Sequence, residues 1–260
     1  MGNKCKNCNT TLVGDFCHNC GQKSATRRIT LKSLFRDLSH AFTSADKGII
    51  YTILQLYRHP GEMIRLYISG RRVRFFPPFT LMLILTGLYG LINHFTPIEH
   101  VTAEQIDAIG AESNVHLGLW SSIIEWVSNS ETFMTLFMLP FSALAIKWMF
   151  NGISRIKYNF AEYLYIAAYI CSQRLIVRIL MLAIPFIWNE EIYDSVLGIM
   201  NYVYIIFITW TTKELFSIKT FEALWRSIAM GILSTLMLIF LIIVAIIVIA
   251  MVLYTVKYSQ

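Results

Sequence analysis

Four cysteines stand near the start of the chain in two pairs, Cys5-x-x-Cys8 and Cys17-x-x-Cys20. Each pair can fold into a tight knuckle whose backbone amides turn toward the sulfurs. Two knuckles then supply four thiolates, the donor set of a closed tetrahedral site. Residues 1–24 are accordingly read as a minimal zinc ribbon, with structural zinc on Cys5, Cys8, Cys17 and Cys20. So short a module has almost no apolar core, and bound metal would supply its folding energy. The rival reading joins the same sulfurs as disulfides or a redox pair, which needs an oxidising compartment. The basic flank argues for the cytoplasmic side and so for metal. His18 is read as a bystander in the second knuckle, and Cys171 as a small residue of an apolar helix.

A second chemically pointed feature lies in an otherwise apolar stretch. Arg174 and Arg178 are four residues apart and share a helix face. Each arginine at the centre of a membrane helix costs about 2.5–3.5 kcal/mol on insertion scales, so such residues face the bundle and need partners. Three readings stay open. The arginines tie helices together through carbonyls and tyrosines; or they line a polar cavity and bind an anion or lipid phosphate; or residues 160–172 form a bent interfacial half-helix that leaves Arg174 near the surface. Glu162, Gln173 and Asn201 are the supporting polar residues, with Tyr202 and Tyr204 as ring partners.

No H-E-x-x-H, no G-x-S-x-G and no phosphate-cradling glycine loop occurs in the sequence. No pair of carboxylates in an apolar stretch offers acid–base chemistry. The chain is read as non-enzymatic.

The elements that hold these residues follow from composition. Of 260 residues, 56% are hydrophobic and 15% charged, and mean hydropathy is +0.55, the profile of an integral membrane protein. The overall charge of +6 is uneven: residues 1–76 hold 13 of the 22 Lys/Arg and carry +9. The first long apolar run begins near Phe79, so no signal peptide is expected.

Residues 25–76 form a basic, amphipathic juxtamembrane segment. Leu31, Leu34, Phe35, Leu38 and Phe42 recur at helical spacing; a second stripe runs Ile49, Ile50, Ile53, Leu54, Tyr57; a third has Met63, Ile64 and Tyr67. The breaks are Asp46-Lys47-Gly48 and His59-Pro60-Gly61. Two placements fit equally, helices lying in the membrane interface or a soluble hairpin over the end of the bundle. Arg71, Arg72 and Arg74 are a topology and headgroup anchor, or more sharply a phosphate ligand. Nucleic acid is disfavoured, since tethering beside anionic lipid already accounts for the charge.

Residues 77–260 form the transmembrane domain, with expected spans at about 79–95, 132–150, 163–188, 195–212 and 228–254. Segment 96–131 has six acidic residues and no Lys or Arg, and 189–194 has Glu190, Glu191 and Asp194. Lys147, Arg155, Lys157, Lys213, Lys219 and Arg226 occupy the alternate connections. The positive-inside rule then puts the N-terminus in the cytoplasm and the C-terminus outside. Trp120, Ile123, Ile124 and Val127 suggest an in-plane helix in the long acidic loop. Gly231, Ser234 and Thr235 suggest close helix contact. The fold class is an all-α membrane protein: about five transmembrane helices preceded by a minimal zinc ribbon and amphipathic interfacial helices.

Together these residues resemble an uncharacterised bacterial membrane family, a domain of unknown function with a short N-terminal zinc ribbon. The resemblance rests on Phe16-Cys17, Cys20-Gly21-Gln22-Lys23, Arg28-Ile29-Thr30, His40-Ala41-Phe42, Asp46-Lys47-Gly48, Pro60-Gly61, Tyr67-Ile68, Gly70-Arg71-Arg72, Phe76-Pro77 and Asn159-Phe160-Ala161-Glu162. That family often has histidine after the last acid, where this chain has Tyr163. The layout is also distantly similar to Yip1-type membrane proteins. The resemblance implies architecture and no activity.

The resulting expectation is a multi-pass protein of the bacterial inner membrane. Its cytoplasmic zinc ribbon and basic segment would dock a cytoplasmic protein partner, a second copy in a homo-oligomer, or anionic phospholipid. The alternative is a transporter or conduit for a small anion or lipid that uses Arg174 and Arg178.

Overall fold

The computed structural model describes residues 4–26, 28–31, 33, 48–95, 131–153, 156–182 and 190–258. The expected stripe from Leu34 to Phe42 and the acidic loop 96–130 with its in-plane helix lie outside these residues.

The described chain is all-helical, with seven helices: α1 Ile49–Arg58, α2 Pro60–Ser69, α3 Pro78–Phe95, α4 Glu131–Phe150, α5 Phe160–Leu182, α6 Glu190–Phe216 and α7 Thr220–Tyr258. The only extended pairing among the described residues is two isolated antiparallel bridges, Lys4 with Thr11 and Phe16 with Lys23.

Four helical stretches are long and apolar enough to cross a membrane: Pro78–Phe95, Phe133–Phe150, Phe160–Leu182 and Thr220–Val244. This is a multi-pass membrane protein. Three boundaries differ from expectation. The span placed at 163–188 is one unbroken helix from Phe160 to Leu182, so residues 160–172 are not a separate bent piece. Its start is set three residues earlier by a cap described below. The last helix begins at Thr220, not near 228, because Ser217 takes a left-handed turn at φ 55° that ends α6 and lets α7 start almost at once. The expected span 195–212 falls inside α6, a 27-residue helix that is not among the four. Asn201, Thr209, Thr211 and Thr212 dilute its apolar character, and several of its N-terminal side chains lie outside the described residues.

Helix α5 is the axis of the bundle. Tyr163, Tyr165, Tyr169 and Ile166 are among its fully buried side chains. Around it pack α3, α4 and the α1–α2 hairpin. Leu56, Met63, Ile64 and Tyr67 of the hairpin join the same apolar core. Tyr67 stacks edge-on against Tyr169 at 5.5 Å, and Phe79 against Tyr165 at 5.1 Å. Such ring pairs add about 0.5–1.5 kcal/mol beyond their burial.

Polar contacts fix the hairpin to the bundle. Tyr57 Oη donates to the Gln173 carbonyl at 2.8 Å, and Gln173 Nε2 donates to the Leu56 carbonyl at 2.7 Å. Thr211 Oγ1 of α6 donates to Gln173 Oε1 at 3.1 Å. Gln173 is thus a pin between three helices, with its amide satisfied as a buried group must be. The lead-in to α3 is held likewise: the Phe76 amide donates to Thr52 Oγ1 and its carbonyl accepts from Tyr169 Oη.

The breaker Pro60-Gly61 has a tertiary cause. A Cβ at Gly61 would stand 2.2 Å from the Leu215 amide nitrogen and 2.6 Å from the Glu214 carbonyl carbon. Only glycine lets α2 approach the end of α6 so closely. The two helix ends then cap one another. The Glu214 carboxylate accepts from the Gly61 amide at 3.0 Å. Arg65 donates to the carbonyls of Glu214 and Leu215 at the end of α6. Acid at a helix start and base at a helix end both suit the helix dipole.

Candidate metal centre and intramembrane arginine site

The two C-x-x-C segments fold alike. The Cys5 and Cys17 amides donate their turns' closing bonds in the same way: Cys5 N donates to Thr10 O and Cys17 N to Gln22 O, both at 2.8 Å. Asn9 N returns to Cys5 O and Gly21 N to Cys17 O. The residue after the second cysteine is left-handed in each, Asn9 at φ 61° and Gly21 at φ 72°, and asparagine and glycine are the residues that tolerate this.

The folding brings all four sulfurs within 4.8 Å of one another. Cys5 Sγ lies 3.6 Å from Cys20 Sγ, and Cys8 Sγ 3.5 Å from Cys17 Sγ. A metal–sulfur bond of about 2.3 Å gives a tetrahedral edge of about 3.8 Å, so the arrangement fits a four-thiolate metal ion. The cysteines are not bonded to one another; a disulfide needs about 2.05 Å. His18 is exposed and outside the cluster. The Thr10 hydroxyl and amide bring Cys8 down to about 6, while burial pushes Cys20 up to about 11. Backbone hydrogen bonding lowers Cys5.

The ribbon is latched to the bundle at two points. Gln22, only 5% exposed, donates through Nε2 to the Gly70 carbonyl at 2.9 Å and accepts at Oε1 from the Arg72 amide at 3.2 Å. Lys6 Nζ reinforces the same corner through the Thr26 carbonyl. The second latch is Arg28, whose Nε and Nη2 reach the two oxygens of Glu162, both at 2.8 Å. Glu162 also accepts from the Asn159 amide at 2.7 Å while its own amide donates to Asn159 Oδ1 at 2.9 Å. This reciprocal pair is a capping box at the start of α5. Asn159 Nδ2 completes the joint by donating to the Ile29 carbonyl.

Glu162 therefore does not serve the α5 arginines, as the sequence reading had it: it is taken by Arg28, to which that reading gave no partner. The spacing Asn159-x-x-Glu162 carried a capping signal. Arg72 packs over the Tyr67 ring at 5.7 Å, while Arg71 and Arg74 are exposed.

Arg174 and Arg178 line a cavity of about 460 Å³ between α4, α5, α6 and α7. Arg174 lies over the Tyr204 ring at 5.4 Å and Arg178 over the Tyr89 ring at 5.9 Å. Tyr89 was invisible to a reading that looked for partners only on the next span. Tyr202 is 71% exposed and takes no part. Asn201 shares a small crevice with both arginines. Gln173 is turned away, into its pin with Leu56 and Thr211. Gly231, Ser234 and Thr235 line the cavity, and a Cβ at Gly231 would meet nothing within 4 Å, so this glycine is not needed for a close helix contact.

Residues 46–90 match a family described as a protein of unknown function, DUF3667. That stretch covers α1, α2, the Gly70–Pro77 turn and most of α3, and it includes Pro60-Gly61 and Gly70-Arg71-Arg72 from the strings noted in the sequence. No curated protein and no solved structure matches the chain. The similarity thus falls on the hairpin that holds the ribbon's Gln22 latch and meets the end of α6.

Proposed function

We propose that this is a non-enzymatic, multi-pass membrane protein that uses a zinc-holding ribbon on its cytoplasmic face to dock anionic phospholipid. The observation that carries the reading is the double latch. Gln22 and Arg28 join the ribbon to α2 and α5, so exposed Lys23, Arg71 and Arg74 are displayed at a fixed place on the bundle. Charges held beside an anionic surface each contribute about 1 kcal/mol. Zinc suits four thiolates, and a closed site is structural. The ribbon, the ends of α4 and α6 and the starts of α5 and α7 share one end of the bundle, and the basic residues there support a cytoplasmic placement in a bacterial inner membrane.

The test uses the full chain, because Gln22, Arg28 and Ile29 each bond to the bundle. Proteoliposomes of phosphatidylcholine with the ribbon outward are mixed with phosphatidylglycerol vesicles, and tethering is followed by light scattering. Tethering that falls with salt and with Arg71→Glu plus Arg74→Glu supports the reading. Equal behaviour toward neutral vesicles removes it. A protein captured by the same surface in place of vesicles would assign the docking to a partner.

The cavity around Arg174 favours a second reading, a conduit for a small anion or lipid. Anion flux into proteoliposomes that is lost in Arg174→Gln would support it.

A further inference from the structure

We infer that the cavity between α4, α5, α6 and α7 binds one amphipathic oxyanion, an anionic lipid whose headgroup sits on Arg174 and Arg178 and whose acyl chain lies along α4 and α7. The inference rests on the second reading above, in that it takes the cavity as a ligand site, and it names the ligand's chemistry.

The arginine end comes first. A guanidinium does not lose its proton in proteins, so Arg174 keeps its charge. Among the described residues its guanidinium has no ion pair and no hydrogen bond; its partner is the Tyr204 ring. A ring face offsets only part of the cost of a charge inside a membrane. Arg178 enters the same cavity one turn on, and among the described residues no carboxylate lines it. Two like charges four residues apart on one helix face are mutually unfavourable until an anion lies between them. Phosphate and carboxylate oxygens are what guanidinium groups pair with best.

The rest of the wall is mostly apolar, with Thr135 and Ser142 among its few polar residues. Met134, Met138, Leu139, Ile146, Ile208 and Ile228 line it. Three of the lining hydroxyls are already used: Ser234 and Thr235 donate to the Gly231 carbonyl, and Ser227 pairs with Thr212. An inorganic anion would leave most of this volume without a partner. The volume is in the range of small-molecule sites, about 300–1,000 Å³, and its polarity runs from charged at one end to apolar along the rest.

The way in is lateral. Ile228 and Ile232 line the cavity yet are 42% and 57% exposed, on the least buried of the four spans. Beside them Gly231 leaves open space. A lipid diffusing in the bilayer plane reaches such a gap without carrying its chain through water.

The experiment is native mass spectrometry of the full-length protein in detergent, titrated with dioleoylphosphatidylglycerol, dioleoylphosphatidylcholine, oleate and inorganic phosphate. One phosphatidylglycerol should bind at least about tenfold tighter than phosphatidylcholine, and inorganic phosphate should not displace it. Oleate binding in its place would identify a carboxylate headgroup in the same site and supports the inference. Arg174→Gln should weaken binding about tenfold or more, the loss expected for charge-assisted hydrogen bonds. Gly231→Phe should block it by filling the gap while both arginines remain, which covers the case in which Arg174→Gln does not fold. Equal affinity for the two phospholipids, displacement by inorganic phosphate, or binding unchanged in Gly231→Phe overturns the inference. Lipid bound without anion flux keeps it and removes the conduit; flux without bound lipid does the reverse.

Discussion

Arg28 and Glu162, 134 residues apart in sequence, form a two-pronged ion pair that joins the ribbon segment to the first turn of α5. The side chain of Glu162 is 4% exposed and that of Arg28 60%. Burial of the acid alone makes its partner necessary, while exposure of the base limits what the pair contributes. Arg28→Ala should cost about 1–3 kcal/mol, below the 3–5 kcal/mol of a fully buried pair. A double-mutant cycle with Glu162→Gln, read by thermal denaturation, should give a coupling of about 1 kcal/mol or more. A coupling near zero would show that the pair does not hold the ribbon.

Gln22→Ala should release the other latch. It leaves the Gly70 carbonyl and the Arg72 amide without their buried partner, at about 1–3 kcal/mol. Hydrogen exchange should rise across residues 4–26 and at the end of α2 together. A rise confined to the ribbon would mean that the two do not communicate.

Metal removal should destabilise the knuckles, because the short ribbon has almost no core to replace it, while the Gln22 and Arg28 latches keep the segment against the bundle. In the metal-stripped chain at pH 7, while the knuckles remain folded, alkylation should be faster at Cys8 than at Cys20, following their displacement to about 6 and about 11. The sign follows from Cys8 lying below its ordinary value of 9.0. Stabilisation by its thiolate, held by Thr10, is full above 9.0 and lost as pH falls through about 6. Thr10→Val should move the midpoint of Cys8 alkylation to higher pH; an unchanged midpoint would assign the effect elsewhere.

Gly61→Ala should separate α2 from α6, because its methyl would overlap the Leu215 amide at 2.2 Å. Backbone cannot rotate aside as a side chain can, and a cost of about 2–3 kcal/mol is expected, typical of overpacking. A cysteine pair spanning α2 and the end of α6 should cross-link more slowly in this variant. Unchanged stability would mean that the approach relaxes without penalty.

What could be read along the chain was whatever depends on near neighbours. The C-x-x-C spacing placed four sulfurs together because each knuckle is closed by its own backbone. Apolar runs of membrane length became α3, α4, α5 and α7. His59-Pro60-Gly61 was legible as a break, though not as a contact surface. The Asn159–Glu162 cap was legible in principle, since both partners lie within one helical turn.

The sequence alone determined the donor set of the candidate metal site, the apolar helices and the uneven charge, because each is a property of residues a few positions apart. Tertiary structure alone decided that Glu162 belongs to Arg28 and not to the arginines of its own helix, that Gln173 pins three helices, and that Arg174 opens onto a cavity. These choices join residues on different helices, and periodicity tells which face a residue occupies but not which neighbour packing will bring against it.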